Sequence, residues 1–388
     1  MKWKIKLASV FVLIFLIANF ASGMKINNEG PFVKLNNGKI WYVGGNGPGN
    51  YTLIQDAIDN ASAGDFIFVF SGTYYERNIK VTKSLNIIGE DKNNTIVDCQ
   101  FEGYPFGIFA QNVYLSGFKL LNSGKEITWQ YPGVFSKSND IIIENNIISN
   151  MKGAGVCVWD ERHNNIIRNN IISKCSNGVI LRYESFENDI YDNSLFDNNY
   201  GILFNSGDAN AYNNKIYDND FGMYLTHISN SNINNNQIFN NGEGIVIGPD
   251  CSENIITDNN VNNNNVGIQI KKQKNNILIK SNIIHDNSIG VMFSDDCENA
   301  EVSLNEITNN ELGVLASWNS NNNIISQNNL IGNNNNAKFE IFSMKNIWNE
   351  NYWDRPRFLP YIIRGSLGIF LIPWINFDWN PAREPYEI

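Results

Sequence analysis

Short alternating segments of apolar and polar residues, too brief for helices, dominate this chain. From residue 145 onward, a segment of the form Asn-x-apolar is followed by a polar turn and then by Gly-apolar-x-apolar. The glycines recur at intervals of 21 to 23 residues, at Gly155, Gly178, Gly201, Gly222, Gly244, Gly267, Gly290 and Gly313. Each period predicts about three short strands separated by turns rich in Asn, Ser, Asp and Gly.

Two further positions keep the same register. Eight residues before each of the last seven glycines stands an asparagine: Asn170, Asn193, Asn214, Asn236, Asn259, Asn282 and Asn305. Six residues before them stands an aliphatic residue. We expect the residues one and three positions after each glycine to point into a core, and the asparagines to form a ladder of amide hydrogen bonds. Glycine is expected to serve a tight, left-handed turn before each strand.

This repeat predicts an all-β fold, a right-handed parallel β-helix solenoid over residues 51–345. A leucine-rich repeat would need Leu-x-x-Leu-x-Leu, which is absent, and a left-handed hexapeptide helix would need periods that are multiples of six. Helical repeats would show apolar residues with a period near 3.6 and far fewer asparagines. A ninth, degenerate coil keeps Asn329 and Ile331 in phase and has Ala337 in place of glycine.

The segment before the repeat predicts an N-terminal helical cap. Residues 51–61 have apolar positions at helical spacing, and a solenoid needs its open end covered. After them come Gly-Asp-Phe-Ile-Phe-Val from Gly64, Gly-Thr-Tyr-Tyr-Glu from Gly72 and Ser-Leu-Asn-Ile-Ile-Gly from Ser84. This order resembles the start of pectin-lyase-like parallel β-helix proteins. With the Asn/Gly coils, the chain is most similar to the NosD-like branch and to surface β-helix repeat proteins, over residues 40–345. The resemblance implies the β-helix fold and, for NosD-like proteins, a role near copper.

The last segment, residues 346–388, leaves the repeat and is rich in aromatic residues, with five prolines. We expect this aromatic tail to cap the C-terminal end. It is also expected to cover part of an outward apolar stripe two positions after the glycines, at Cys157, Ile180, Leu203, Tyr224, Val246, Met292 and Leu315. The alternative is that the stripe is a docking surface for a partner.

The N-terminus has the pattern of a signal peptide over residues 1–23. A basic start, Met1 to Lys6, precedes an apolar run, Leu7 to Phe20, and the small residues Ala21-Ser22-Gly23. An uncleaved anchor is the alternative, and would be the only membrane contact. Residues 24–50 are interpreted as a lead-in. Either way the protein is expected to be secreted or on the extracytoplasmic cell surface.

Net charge and cysteine content exclude some classes of protein. The net charge of −10 argues against a protein that binds nucleic acid, because phosphate binding requires a basic protein surface. Five cysteines, an odd number without CxxC spacing, do not form a disulfide framework.

Charged turn residues of adjacent coils form the best candidate site. Catalytic roles are assigned to Asp160, Glu184 and Arg182, because stacked turns bring carboxylates close enough to act as an acid/base pair or to share calcium. Arg182 would hold a uronate carboxylate. Substrate-binding residues expected around them are Trp129, Tyr131, Glu161, Arg162, His163 and Asp208. The alternative is that these are ordinary solvated turn residues, since the dense Asp clusters and Asp-Pro-His motifs of enzymes with this fold are absent.

No metal site is predicted. Copper sites need grouped His, Cys or Met ligands, but His163, His227 and His285 sit on different coils. Asp250 and Asp296 occupy the same turn position two coils apart, too far for one shared ion. The sequence therefore favours a non-catalytic module that binds polysaccharide or an envelope protein. A carbohydrate-active enzyme (lyase, hydrolase or epimerase) and a NosD-like accessory in cofactor or copper-site maturation remain as alternatives.

Overall fold

The computed structural model of this protein describes residues 38–125, 131–368 and 372–388. The predicted signal peptide and the insertion residue Trp129 lie outside the described residues. The described chain is a right-handed parallel β-solenoid of about 14 turns, which confirms the predicted fold class. Among the described residues, no helix is long and apolar enough to cross a membrane.

The described elements are short. The first part of the chain forms helix α1, Ile54–Asn60, and strands β1 Ile40–Val43, β2 Phe66–Val69, β3 Gly72–Tyr74, β4 Ile79–Val81, β5 Asn86–Gly89, β6 Thr95–Asp98, β7 Phe106–Ile108, β8 Tyr114–Ser116, β9 Lys119–Ser123, β10 Val134–Ser136, β11 Ile142–Glu144, β12 Ile147–Met151, β13 Ala154–Val158, β14 Ile166–Arg168, β15 Ile171–Ser173, β16 Asn177–Tyr191, β17 Ser194–Phe196, β18 Tyr200–Tyr212, β19 Lys215–Tyr217 and β20 Phe221–Ile228. The second part forms β21 Asn232–Asn234, β22 Gln237–Phe239, β23 Glu243–Ile247, β24 Asn254–Thr257, β25 Asn260–Asn262, β26 Val266–Lys271, β27 Ile277–Lys280, β28 Ile283–His285, β29 Ile289–Ser294, β30 Ala300–Ser303, β31 Glu306–Thr308, β32 Leu312–Ala316, β33 Ile324–Ser326, β34 Asn329–Ile331, β35 Asn335–Phe339, β36 Ile347–Asn349, β37 Tyr352–Trp353, β38 Tyr361–Leu367 and β39 Ile372–Asp378.

Each turn contributes strands to three parallel stacks. One stack is a separate 13-stranded sheet that starts at β3 and ends at β37. The other two share a 26-stranded sheet, because β16 and β18 each run from one stack into the next without a break. Successive coils pair residue on residue, as in Val156 with Val179 and Val179 with Ile202, so like side chains stack on like.

The core lies inside the solenoid where the sequence predicted it. The 16 residues one and three positions after the repeat glycines are each at most 1% exposed. Their stacking gives one continuous cluster that runs from Val43 to Ile363. Its burial is the main stabilising contribution, because each buried aliphatic side chain contributes about 1.5–3 kcal/mol.

The predicted asparagine ladder is also confirmed. In its interior the amide of Asn259 donates to Asn282 Oδ1 at 2.9 Å, and its own Oδ1 accepts from Asn236 Nδ2 at 2.9 Å. A second ladder, three residues before the glycines, was not predicted; it comprises Asn198, Asn219, Asn241, Asn264, Asn287 and Asn310. Both ladders satisfy buried backbone groups at the turns, which water does not reach.

The role expected for the repeat glycines is wrong. None of the eight has a positive φ, and the left-handed positions belong instead to residues such as Asp258 (φ 56°) and Asn263 (φ 54°). The glycines are needed for space: a Cβ on Gly244 would lie 2.4 Å from the carbonyl oxygen of Gly267 in the next coil. Short polar side chains tolerate the left-handed conformation because they hydrogen-bond locally.

Helix α1 lies in the segment from which a helical cap was predicted. It buries Ile54, Ala57 and Ile58 in the core cluster. The carboxylate of Glu76 accepts hydrogen bonds from the backbone N–H of Ile54 at 2.7 Å and of Gln55 at 3.2 Å, which satisfies donors at the helix N-terminus.

The aromatic tail first continues the coils through β36 and β37 and then forms an antiparallel hairpin of β38 and β39. The hairpin packs Tyr361 on the buried Trp353, with ring centroids 3.9 Å apart. The outward stripe near Cys157 and Ile180 is covered by neighbouring side chains, among them Phe135 and Trp159.

Candidate functional site

Five aromatic side chains lie side by side on the outer surface of the early coils: Tyr104, Phe109, Phe135, Trp159 and Tyr183. We call them the aromatic patch. The centroid of Phe135 is 6.3 Å from Tyr104, 6.2 Å from Phe109 and 6.0 Å from Trp159. Trp159 is in turn 5.6 Å from Tyr183. These tilted and edge-to-face contacts fix the rings in place, so the patch is a preformed surface.

Strand alternation explains why two of these rings face outward. Phe135 stands two residues after Gly133, and Trp159 stands four residues after Gly155. The odd positions after each glycine fill the core, so even positions point away from it. This signal was present in the sequence, but the predicted site took its aromatic residues Trp129 and Tyr131 from the insertion, and so omitted Phe135, Trp159 and Tyr183.

Two cations flank the rings. The guanidinium carbon of Arg182 lies 4.2 Å from the centroid of Trp159 and 4.9 Å from that of Tyr183. The ammonium of Lys137 lies 5.8 Å from the Phe135 ring and 3.6 Å from a carboxylate oxygen of Asp160. Cation–π contact orients a positive group over a ring face without removing its charge. The predicted residue Arg182 therefore borders the aromatic patch, and Asp160 contacts Lys137 beside it.

The register between coils determines which of the predicted acidic residues are neighbours. The backbone N–H of Glu161 donates to Tyr183 O at 2.8 Å, and His163 forms a parallel β-bridge with Phe186. Residues 23 positions apart in the sequence are therefore level, that is, they lie side by side in neighbouring coils. Glu184 is thus level with Glu161, while Asp160 is level with Tyr183. Within the described part of the chain, no hydrogen bond or ion pair joins Glu184 to Asp160 or Glu161.

The remaining predicted site residues serve local structure or lie at the edge of the patch. The His163 ring stacks on Phe186 with centroids 5.8 Å apart, and the Asp208 carboxylate accepts from the backbone N–H of Glu187. Arg162 is half-buried, and its backbone carbonyl accepts from the amide of Asn188 at 3.0 Å.

Tyr131 lines a shallow cleft of about 430 Å³ together with Glu102 and Lys125. Glu102 is paired with Arg77 at 2.9 Å and with Lys125 at 3.7 Å. The carboxylate of Glu102 in this cleft is therefore paired with two cations.

The histidine side chains of the described residues lie apart from one another and contact single acids. Among residues 38–125, 131–368 and 372–388, no group of three His, Cys, Asp or Glu side chains is placed to hold a metal ion. His227 contacts Asp250 at 3.3 Å, and His285 contacts Asp286 at 2.6 Å, on separate coils. Burial raises the pKa of the Cys157 thiol to about 12, which keeps it protonated at neutral pH.

By sequence, the chain matches the model of a known family. The NosD family, described as a periplasmic copper-binding protein, matches residues 58–232 and 205–358. No curated protein matches the chain.

Solved structures share the fold. The A-module of mannuronan C-5 epimerase AlgE6 from Azotobacter vinelandii is 13% identical, with 86% of this chain and 91% of that chain covered and a TM-score of 0.54. The catalytic unit of the GH87 α-1,3-glucanase from Streptomyces thermodiastaticus is 12% identical, with 76% and 64% covered and a TM-score of 0.63. A mutant of the PL6 family alginate lyase AlyGC is 12% identical, with 83% and 54% covered and a TM-score of 0.58. At such identities the likeness is one of fold.

Proposed function

Because this chain belongs to the NosD family of parallel β-helix proteins, we propose that it is an extracytoplasmic module that binds polysaccharide on the aromatic patch. The family is described as periplasmic, which agrees with the exported location expected from residues 1–23. The observation that carries the proposal is the run of preformed rings from Tyr104 to Tyr183.

Exposed aromatic rings suit sugar rings because both have an apolar surface beside polar groups. A pyranose can lay its C–H face on an indole or phenol while its hydroxyls remain available for hydrogen bonds. Phe109 and Tyr183 are 40% and 48% exposed, so the patch is open to such a ligand. The rings span several coils, each about 4.8 Å apart, and so match an extended polymer rather than a monosaccharide.

The charges around the rings favour a chain that carries carboxylates. Arg182 presents a guanidinium at the rim of the patch, and guanidinium groups bind carboxylates through paired hydrogen bonds. The ammonium of Lys137, also at the rim, is paired with Asp160. The chain as a whole is acidic, with a net charge of −10, so this attraction is local. We therefore propose uronate-containing polysaccharides as the preferred class.

Binding accounts for the geometry better than catalysis or copper delivery. Glycoside hydrolysis requires two carboxyl groups on either side of the scissile bond, whereas Glu161 and Glu184 are stacked in one row and Asp160 is paired with Lys137. Copper delivery, which the family description suggests, has no ligand group among the described residues.

The test is a titration of the chain from Met24 onward with neutral and with uronate-containing polysaccharides. Tryptophan fluorescence monitors binding. Trp159→Ala is expected to weaken binding about tenfold, because loss of one stacked ring removes about 1.4 kcal/mol. Arg182→Gln should weaken binding to uronate polymers and leave neutral polymers unaffected. Trp318→Ala is the matched control, since Trp318 is 55% exposed but lies outside the patch.

The same samples distinguish the alternatives. Release of reducing ends that disappears in Glu184→Ala would make the protein an enzyme. Equal binding by Trp159→Ala and Trp318→Ala, with both variants melting like the parent, would contradict the aromatic patch as the site. Absence of binding to every polysaccharide would leave an envelope protein as the partner.

A further inference from the structure

A column of outward residues continues from the aromatic patch along the solenoid. Each member stands four residues after a glycine of the coils, and members of neighbouring coils are level, since Arg182 pairs with Asn205 and Asn205 with Thr226. In chain order the members are Lys137, Trp159, Arg182, Asn205, Thr226, Gly248 and Lys271. We call these residues the outer column.

The outer column contains no acidic residue. From Arg182 to Lys271 it has a cation at each end, with an amide, a hydroxyl and a glycine between them. The residues that follow these five members in the chain carry no negative charge either: Tyr183, Ser206, His227, Pro249 and Lys272. Acids begin one position further into the turns, with Glu184 and Asp250, and the second of these contacts His227 at 3.3 Å. Although the chain has a net charge of −10, this strip of its surface therefore attracts anions locally.

The far end of the outer column repeats the arrangement of ring and cation that borders the aromatic patch. The ammonium of Lys271 lies 5.4 Å from the centroid of the Tyr224 ring. Tyr200 and Phe221 hold this ring edge-to-face, each with its centroid 5.8 Å away. Within residues 38–125, 131–368 and 372–388, no ion pair joins Lys271 to an acid. Its charge is therefore available to an anionic ligand beside a fixed aromatic ring.

Gly248 makes room for the phenol of Tyr224. A Cβ on Gly248 would lie 3.2 Å from the Tyr224 hydroxyl oxygen, so the phenol leans out of its own coil and lies against Gly248 in the next one. The ring thus takes the place of the missing side chain in the outer column, next to Lys271.

The outer column ends as an accessible surface after Lys271. The next residue at the same position, Ser294, is 2% exposed and accepts a hydrogen bond from Gln269 Nε2 at 3.3 Å. Ser317 in the following coil is 1% exposed. The accessible cations Arg182 and Lys271 are four coil steps apart, which corresponds to about 19 Å along the axis.

We propose that the outer column extends the polysaccharide site, and that an extended uronate chain lies along it with one carboxylate on Arg182 and another on Lys271. The inference rests on the function proposed for the aromatic patch and adds a requirement for chain length. A sugar unit with its linking oxygen is about as long as one coil step, so about five sugars span the two cations.

The residues between the cations suit the middle of such a chain. The amide of Asn205 and the hydroxyl of Thr226 are half-buried and can exchange hydrogen bonds with sugar hydroxyls. The ring of Tyr224 offers an apolar surface to the C–H face of a sugar. A ligand that reaches Lys271 as well as the aromatic patch gains a second contact on the same molecule, which raises its affinity.

The experiment measures binding of mannuronate oligomers of about three and about eight sugars, lengths below and above the span of the two cations, by titration calorimetry. The protein is the chain from Met24 onward, since residues 36–388 form one compact unit and omission of residues 1–23 leaves it intact. The parent is expected to bind the longer oligomer at least about tenfold more tightly than the shorter one. Lys271→Gln should remove most of this difference and leave binding of the shorter oligomer unchanged, and Lys271→Arg should retain the difference.

Lys280→Gln is the matched control. Lys280 is half-buried like Lys271 and follows it in the same coil, but it lies on β27, in a different stack of strands. This variant removes the same charge and should bind both oligomers like the parent. An equal loss of binding of the longer oligomer in Lys271→Gln and Lys280→Gln would overturn the outer column as the site.

Failure of the outer column and failure of the aromatic patch give different results. Trp159→Ala should weaken binding of both oligomers. If the shorter oligomer depends on Trp159 but the parent binds the longer one no more tightly, the outer column is overturned and the patch stands. If the parent binds neither oligomer, or if Trp159→Ala binds the shorter one like the parent, the patch and the outer column are contradicted together.

Discussion

The amide of Asn259 makes five hydrogen bonds in the interior of the stack. It donates to Ile233 O, Thr257 O and Asn282 Oδ1, each at 2.9 Å. Its carbonyl accepts from the backbone N–H and the side-chain amide of Asn236, at 3.0 and 2.9 Å. The side chain is 1% exposed, so none of these groups has water as an alternative partner.

Replacement of this amide should be costly. We predict that Asn259→Ala lowers the free energy of unfolding by about 3 kcal/mol, because it leaves several buried donors and acceptors without partners. Chemical denaturation monitored by circular dichroism measures the loss.

Asn265→Ala is the control for the same substitution in the same coil. Asn265 is exposed, and its side chain makes no hydrogen bond within the described residues. A loss in this variant as large as that of Asn259→Ala would show that the ladder has no special role.

At the scale of elements, Asp378 ends the ladder and joins β39 to β36 and β37. One carboxylate oxygen accepts from the backbone N–H of Asn351 at 3.0 Å, from its amide at 3.3 Å and from Trp353 Nε1 at 3.0 Å. A carboxylate accepts hydrogen bonds without donating any, so the ladder can stop here without an unsatisfied amide N–H.

This arrangement predicts a local effect on the hairpin. Asp378→Ala should raise hydrogen exchange in β38 and β39 by at least about tenfold and leave the central coils unchanged, since stability varies along a repeat structure. Exchange measured by mass spectrometry resolves the two regions. Glu384→Ala, at an exposed acid of the same tail, should not alter exchange, and a uniform increase over all coils would contradict a local role.

At the scale of the whole molecule, the solenoid places the aromatic patch far from the C-terminal hairpin. Eight steps between neighbouring strands separate β16, next to the aromatic patch, from β38, which corresponds to about 38 Å along the axis.

The long core also explains the five cysteines, all of which are free and buried, so the prediction that they form no disulfide framework is confirmed. Burial raises the pKa of Cys99, Cys157 and Cys175 to about 12 and that of Cys251 to about 11. It also raises the pKa of Cys297.

These shifts predict alkaline destabilisation. Below pH about 8 the thiols are protonated in both states, and the full stability is present. As the pH rises from about 9 toward the pKa values of the folded state, the unfolded chain ionises first and the free energy of unfolding falls, by about 1 kcal/mol per thiol near pH 10. Melting temperature measured against pH checks this. Cys157→Ala, Cys175→Ala should show a shallower fall, and an unchanged slope would contradict the assignment to thiols.

The sequence by itself determined the coil, because eight glycines recur at intervals of 21 to 23 residues and seven of them have an asparagine eight residues before. One coil stacks on the next, so local spacing alone specifies the inward residues such as Val179 and the ladder position of Asn259. The left-handed turn expected at Gly244 is wrong. Glycine is required there because the carbonyl of Gly267, one coil away, leaves no space for a Cβ atom.

Only the tertiary structure decided which side chains of different coils meet at the surface. The register between coils places Trp159 beside Arg182. It places Glu184 beside Glu161, not beside Asp160. The tail has no repeat, so its folding into a hairpin with exposed Trp374 depends on pairing with β35 and β36, contacts that no local pattern encodes. The spacing of residues in the sequence determines the coil, whereas the register between coils determines which side chains meet on the surface.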